Sequence, residues 1–240
     1  MSERTKTILK FCALLAIPLL VFYAMLYPII GEVRENAHTT SCRDNLRKLG
    51  TAFMQYSQEN DGMMPNIADR TGANTWRDAT LPYVKIREVY HCPSRRDDVG
   101  AGGSSQNYAA NYSGDYGRTQ PDRGKGALAG SGSIPLSRQD YSDPSKLILL
   151  LESENNSRPE FNIDDSALFG PQTHTLWAGH FRRHGNFLMA DGHVKSWEPS
   201  ATYLYDPKNH SLLNLWYRNS DTRLSANRAA VLKDAKTRFK

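Results

Sequence analysis

The chain begins with a long apolar stretch. Residues 11–31 contain no charged side chain, and Lys10 and Glu32 bracket them. Twenty-one helical residues are about 30 Å long, which matches the hydrocarbon thickness of a bilayer. The pattern therefore predicts one transmembrane helix at residues 11–31, with bilayer lipid around it. Pro18 and Pro28 remove two backbone donors, a change that membrane helices tolerate.

The charges beside this stretch predict its orientation. Arg4, Lys6 and Lys10 precede it, whereas acidic and basic side chains nearly balance over residues 32–35. The positive-inside rule then keeps residues 1–10 in the cytoplasm, the span in the inner membrane, and the rest in the periplasm or outside the cell. Two alternatives stay open. A cleaved signal peptide is disfavoured by the bulky residues that end the run, and a buried core helix by its length.

A second apolar pattern follows the span. The side chains Cys42, Leu46, Leu49, Phe53 and Tyr56 recur at spacings of four, three, four and three. This periodicity predicts an amphipathic helix with a single apolar stripe, which needs a partner surface to cover it.

The residues around the stripe predict where this helix begins and ends. Ser41 is expected to cap its start, and Asp61-Gly62 to end it. The polar residues before Ser41 are compatible with a helix, so residues 32–61 are interpreted as an extension of the membrane span. Together they would form one rod of roughly 50 residues, with a weak point at residues 38–40.

Beyond the rod the pattern predicts an extracytoplasmic head at residues 62–220. Residues 97–135 are rich in Gly, Ser, Asn and Asp, and predict long loops with tyrosines as tethers. Residues 145–151 form an apolar run typical of a buried strand. Residues 186–197 contain two extended runs around Asp191-Gly192, which predicts a hairpin with a two-residue turn.

These elements together predict an α+β fold, in which the stripe of the long helix packs on an antiparallel sheet. Residues 221–240 are expected to be a basic terminal helix or tail. The net charge of +5 and the mean hydropathy of −0.59 describe a polar, mildly basic protein. Charge of this size is typical of an ordinary surface, so nucleic acid is not an expected partner.

The cysteines bear on compartment and stability. Cys12 lies in the span, whereas Cys42 and Cys92 lie in the part expected outside the cytoplasm, where disulfides form. A bond between Cys42 and Cys92 would close a loop of about fifty residues and stabilise the fold by about 4 kcal/mol. Two free buried thiols are the alternative.

Four histidines raise the hypothesis of a metal site. They are His174, His180, His184 and His193, with Asp191 nearby. Imidazole and carboxylate donors suit zinc or iron. Two arginines separate His180 from His184, however, and the hairpin already accounts for Asp191-Gly192. The sequence therefore predicts no cofactor, with His180, His184, Asp191 and His193 as weak metal candidates and with zinc and calcium as open alternatives.

Motifs for catalysis are weak. A Gly-x-Ser-x-Gly elbow is missing from the sequence. Glu152 and Glu154 would share one face of a strand, and the expectation is that they mark its solvated end rather than act as a pair of catalytic carboxylates. Asp164 and Asp165 lack the spacing of a calcium loop. The chain is therefore predicted not to be an enzyme, without catalytic or cofactor-binding residues.

Five pieces of the chain, in order, resemble the planctomycete-type pilin-like and pseudopilin-like proteins that carry the prepilin-type processing-associated His-x9-Asp-Gly domain. These pieces are SCRDNLRKLGTAFMQYSQENDGMMP at residues 41–65, Cys92-Pro93, NYAANY at residues 107–112, PSKLILLLE at residues 144–152, and His184 with ADGHV at residues 190–194. The residues that match the family signature are Asn45, Leu46, Gly50, Pro93, His184, Asp191 and Gly192. Six residues rather than nine separate His184 from Asp191, and the usual pilin leader with its glutamate is lacking.

The resemblance implies a pilin-like architecture, in which the C-terminal half of a long transmembrane helix packs on an antiparallel sheet. It also implies a structural or assembly function in a type II secretion or type IV pilus-like system, with pilin-like subunits or other secretion components as partners. An uncleaved anchor is expected. An alternative is an anchored binding module whose loop at residues 97–117 contacts a cell-surface polymer. A metal-dependent enzyme is the least favoured alternative.

Overall fold

The structure, a computed structural model of the 240-residue chain, contains a long helix and a head built of helices and strands. The described residues are 3–94, 107–112, 126–130, 134–153, 160–161, 180, 184–198, 203–206 and 211–215. The predicted C-terminal helix or tail at residues 221–240, and the residues His174, Asp164 and Asp165, lie outside them.

Helix α1 runs unbroken over Glu3–Glu59, which is 57 residues or about 85 Å. The prediction of one rod is therefore confirmed, but the predicted weak point at residues 38–40 is absent from α1. The predicted cap at Ser41 is also wrong, because Ser41 lies inside the helix. Its hydroxyl donates to the carbonyl of Ala37 at 3.0 Å, and Thr39 and Thr40 bond to the carbonyls four residues back in the same way. Such bonds satisfy the hydroxyls without breaking the helix.

The helix ends where Asp61-Gly62 predicts. Asp61 and Gly62 have φ angles of 52° and 80°, and the Gly62 amide donates to the carbonyl of Ser57 at 2.8 Å. Glycine adopts this left-handed backbone at low cost, so the chain can leave the helix axis here.

The first half of α1 is apolar and uncovered. From Leu14 onward, α1 is long and apolar enough to cross a membrane, with a mean hydropathy of 2.2 in its most apolar window, and none of that window is buried. Leu20, for example, is 69% exposed. Within the described part of the chain this is the single helix of that kind.

The head contains a second helix and a sheet. Helix α2 spans Trp76–Val84, and short 3₁₀ turns occur at Arg87–Tyr90, Arg138–Asp140 and Pro144–Lys146. The strands are β1 (Tyr108–Asn111), β2 (Ile148–Glu152), β3 (Glu160–Phe161), β4 (Gly185–Met189) and β5 (Val194–Trp197), in the order β3-β1-β2-β4-β5. A separate hairpin pairs β6 (Tyr203–Asp206) with β7 (Ser211–Asn214).

The strand pairing confirms an α+β fold with a four-stranded antiparallel sheet, β1-β2-β4-β5. The two-residue strand β3 extends it in parallel to β1. The buried strand predicted around residues 145–151 is confirmed as β2. The loop predicted at residues 97–135 is wrong at β1, because β1 pairs with the apolar strand β2 and Tyr108 is fully buried. Tertiary pairing outweighs local composition there.

The hairpin between β4 and β5 confirms the two predicted strands but not the predicted turn. Three residues, 190–192, form the loop: the Met189 amide donates to the carbonyl of His193, and the Gly192 amide to that of Met189. Gly192 has a φ of 97°, which is the glycine bulge of a three-residue hairpin. Ala190 is buried, and its backbone amide donates to the carbonyl of Leu147, one residue beyond the Ile148–Met189 pair of β2 and β4.

The apolar stripe of α1 forms one wall of the core. Leu46, Leu49 and Phe53 are fully buried, and α1 contacts β4, β5 and α2. The ring of Phe53 lies 5.5 Å from that of Trp76 in α2, between centroids. The stripe thus packs on the sheet, as predicted, and its later residues also pack on α2.

Gly50 allows a close approach between α1 and the sheet. A Cβ atom at Gly50 would lie 2.9 Å from Cδ1 of Leu188 in β4 and 3.5 Å from the backbone of Gly192. Leu188 is itself fully buried, so its side chain has little room to move.

We expect Gly50→Val to destabilise the head by about 1–3 kcal/mol, because overpacking this contact outweighs the small gain in helix propensity. Thr51→Val is the matched control, since it places the same side chain at the exposed neighbouring position, where we expect less than about 0.5 kcal/mol. Urea unfolding of the full-length protein in detergent, followed by tryptophan fluorescence, measures both. Equal stabilities of the two variants would contradict the packing described.

Candidate functional site

A buried carboxylate lies at the end of β2. Glu152 is 1% exposed, so the expectation that it marks a solvated strand end is wrong. Its Oε2 accepts a hydrogen bond from the backbone N–H of Asn186 at 2.7 Å, and its Oε1 accepts one from the side-chain Nδ2 of Asn186 at 2.9 Å. Because β2 is an interior strand, β4 brings these donors to a carboxylate that water would otherwise have to solvate.

His180 lies between this carboxylate and helix α1. Its Nε2 is 2.9 Å from Oε1 of Glu152, and its Nδ1 is 3.2 Å from Oε1 of Glu35. The hydroxyls of Thr39 and Ser94 lie 3.0 and 3.2 Å from the same Nδ1. The imidazole therefore bridges a fully buried carboxylate in the sheet and a partly exposed one on α1.

The two carboxylates control the protonation of His180. Burial lowers the pKa of His180, but hydrogen bonds and charge attraction from Glu152, and then from Glu35, outweigh burial and raise that pKa above its ordinary value of 6.5. The protonated imidazole is the form that can donate to both carboxylates at once.

A disulfide lies beside His180 and Glu152. Cys42 of α1 and Cys92 are bonded, with 5.0 Å between their Cα atoms, and both are fully buried. Cys92 Sγ lies 3.9 Å from Nε2 of His180 and 3.7 Å from Oε1 of Glu152. Because the two cysteines are 50 positions apart in the sequence, the chain-entropy model gives the bond a stabilisation of about 4 kcal/mol.

Tyr108 seals the site from the side of β1. Its hydroxyl donates to the carbonyl of Cys42 at 3.2 Å. Burial raises the pKa of Tyr108 well above its ordinary value, and the nearby charge of Glu152 adds to this rise, so the hydroxyl keeps its proton. A fully buried Tyr108 has no surface with which to contact a polymer, which removes it from the binding loop hypothesised at residues 97–117; most of that loop lies outside the described residues.

The structure places the metal candidates named from the sequence in two separate locations. His180 lies in the buried site, and His184 meets it through a backbone hydrogen bond of 3.3 Å. Asp191 and His193 pair with each other at the hairpin, away from the buried His180. Among the described residues, the group whose donor atoms converge is instead Cys42, Cys92, Glu152 and His180, with all four atoms within 4.8 Å of one another.

Several residues of the family signature lie at the contact between α1 and the head. Nδ2 of the Asn45 side chain donates to the carbonyl of His91 at 2.9 Å, next to Cys92 and Pro93. Leu46 lies in the core, Gly50 meets the sheet, and Asp191-Gly192 forms the hairpin loop beside Gly50. These contacts all hold α1 against the head.

Sequence reasoning named the four residues whose donor atoms converge but missed the polar side chains around them. Glu35, Thr39, Ser94 and Asn186 were not named as candidates, because each comes from a different segment or from a polar stretch without a motif. The one available signal was Glu152, a carboxylate directly after four apolar strand residues. His180 and Glu152 are so enclosed that the arrangement is suited to holding a fixed ligand or joining segments, rather than to admitting a substrate.

We expect Glu152→Gln to destabilise the disulfide-bonded protein most at low pH. A raised folded-state pKa means that the contribution of His180 to stability is full below its unfolded pKa, near 6.5, and is lost as pH rises through the folded value. The loss should reach about 3 kcal/mol near pH 6 and shrink towards pH 9. Unfolding in urea at both pH values measures it.

Asp44→Asn is the matched control for this prediction. It removes a carboxylate from the exposed pair that Asp44 forms with Arg47, and exposed pairs contribute little to stability. Its effect should stay small at both pH values. A Glu152→Gln effect that does not change between pH 6 and pH 9 would contradict the charged pair.

Comparison with known protein families, with curated proteins and with solved structures found no match to this chain. The pilin-like resemblance of residues 41–197 therefore stays a hypothesis carried by its motifs.

Proposed function

We propose that this protein is a membrane-anchored, pilin-like structural or assembly subunit of a type II secretion or type IV pilus-like system. The observation that carries the proposal is the division of α1 into two halves. The first half is apolar and uncovered, whereas the second half is a wall of the core of the head. One rigid helix thereby joins a membrane-length segment to a folded domain.

The apolar half supports the anchoring role. Its large side chains between Leu14 and Ile30 are at least half exposed where they are described. Leaving such a surface in water would be unfavourable by about 25 cal/mol for each Å². A bilayer removes that cost, with the cytoplasmic orientation of residues 1–10 following from Arg4, Lys6 and Lys10.

The same half supports the role as a subunit. Van der Waals packing and small residues favour association between membrane helices. Where the side chains of this half are described, the head buries none of them, so neighbouring copies can pack along it. The pilin-like motifs in the following half are the reason for choosing this partner over an unrelated one.

The junction between the halves supports a structural rather than a catalytic role. The disulfide, the contact at Gly50 and the bridge from Glu35 through His180 to Glu152 all fix α1 to the head. A subunit that holds its head at a set position above the membrane needs such a fixed junction.

We expect the double substitution Leu19→Arg and Leu20→Arg to release the protein from membranes during carbonate extraction. Each arginine near the centre of a span costs about 2.5–3.5 kcal/mol. The matched control is Ile86→Arg with Ile134→Arg, two exposed isoleucines of the head, which should leave the protein in the membrane fraction.

Mass spectrometry of the N-terminus in the same samples tests whether the chain is cleaved. Loss of the whole span from the unaltered protein would mean that residues 11–31 are a signal peptide.

We expect a photoreactive phenylalanine at Phe22 to cross-link two copies of the chain in native membranes, because Phe22 is exposed on the uncovered half. The same probe at Ile134, which is 86% exposed on the head, is the matched control and should give few such adducts. Gel mobility and mass spectrometry of the adducts identify the partner. Adducts to lipid alone at Phe22 would contradict the subunit role and favour an isolated anchored module.

A further inference from the structure

We propose that the reduced form of this protein binds one zinc ion between Cys42, Cys92, His180 and Glu152. The disulfide occupies this position in the structure, so that the two states exclude each other. The proposed site does not depend on the membrane role, because its residues lie in the head and in the part of α1 that follows the apolar half.

The positions of the donor atoms fit a tetrahedral zinc site. Tetrahedral zinc with bonds of about 2.0–2.3 Å places neighbouring donor atoms about 3.3–3.8 Å apart. Cys92 Sγ already lies 3.9 Å from His180 Nε2 and 3.7 Å from Glu152 Oε1. The 2.9 Å contact between His180 and Glu152 has to widen slightly. The ion would replace the proton that lies between Nε2 of His180 and Oε1 of Glu152.

Reduction of the disulfide allows the two sulfur atoms to move apart into ligand positions. The two sulfurs must separate to about 3.8 Å, the distance between two thiolates on one zinc ion. Rotation of the two cysteine side chains can give this change, because their Cα atoms are already 5.0 Å apart and belong to different segments. Two thiolates, one imidazole and one carboxylate form a donor set that zinc accepts.

The outer hydrogen bonds of a zinc site are also present. Zinc-binding histidines usually direct their second nitrogen to a carboxylate or a carbonyl. His180 does this, with its Nδ1 3.2 Å from Glu35 and its Nε2 on the side of the cysteines. Asn186 orients the Glu152 carboxylate through two hydrogen bonds, from its backbone N–H to Oε2 and from its Nδ2 to Oε1. The lone pair of Oε1 that faces His180 Nε2 in this structure is the one that would bind the metal.

The exchange of states balances as a reduction followed by metal binding. A dithiol reductant gives two electrons and two protons to the disulfide and becomes a disulfide itself. The ion then binds as the Cys42 and Cys92 thiols, together with His180, release their protons to solvent. A newly made chain, whose thiols are not yet oxidised, reaches the same reduced state without the reductant.

The full-length protein with Cys12→Ala, reduced with a phosphine in detergent, tests the proposal. We expect it to bind one zinc ion per chain by metal analysis, and Co²⁺ in its place to show the absorption of a tetrahedral site with thiolate ligands. Zinc should also protect Cys42 and Cys92 from alkylation. The oxidised protein should bind neither metal at this site.

Variants assign the ligands. Glu35→Gln, which changes only the outer hydrogen bond, should weaken zinc binding about tenfold to a hundredfold, and His180→Asn should weaken it more. His193→Asn is the matched control and should leave the affinity unchanged, because His193 lies at the hairpin with Asp191. Circular dichroism reports whether each reduced variant is folded.

Three results would overturn the proposal. The first is that the reduced protein binds zinc no better than the oxidised protein. The second is binding that His180→Asn leaves unchanged, which would place the ion elsewhere. The third is unfolding on reduction that zinc does not reverse, since a site that binds only the folded chain must stabilise it.

Discussion

Burial of the apolar stripe of α1 is the interaction on which the rest of the head depends. Leu46, Leu49 and Phe53 are fully buried, and the sheet and α2 are arranged on the side of the helix that carries them. At about 1.5–3 kcal/mol for each large side chain, this contact is far stronger than any polar contact at the surface. It also fixes the direction of the uncovered half, because α1 is continuous through the junction.

A helix clamped by apolar packing alone can still slide or rotate, because hydrophobic attraction has little direction. The polar contacts at the start of the buried stripe remove that freedom. The disulfide sets one point on α1, and Glu35, through His180, sets a second point about two turns earlier. Charged groups in this position cost desolvation energy, so they define one arrangement of the helix more than they add stability.

Periodicity was enough to predict the features that depend on neighbours in the sequence. The stripe from Cys42 to Tyr56, the helix end at Asp61-Gly62 and the β4–β5 hairpin all follow local rules. Two of the predictions that failed, by contrast, concern features that depend on distant partners. The loop-like composition around Tyr108 hid β1, which forms because β2 lies beside it. Glu152 was expected in water, and its burial depends on His180, 28 positions away, and on Asn186, 34 positions away.

The location of the buried site connects the two proposals. Glu35 and Thr39 belong to the part of α1 between the uncovered half and the buried stripe, whereas Glu152 belongs to the interior of the sheet. A change at His180 therefore acts on the junction itself. With the disulfide in place, the link between α1 and the head is covalent and does not depend on metal supply, which agrees with the proposed position of the head outside the cytoplasm. In the reduced chain the same four side chains can keep the link through an ion, so the head can hold α1 before oxidation as well as after it.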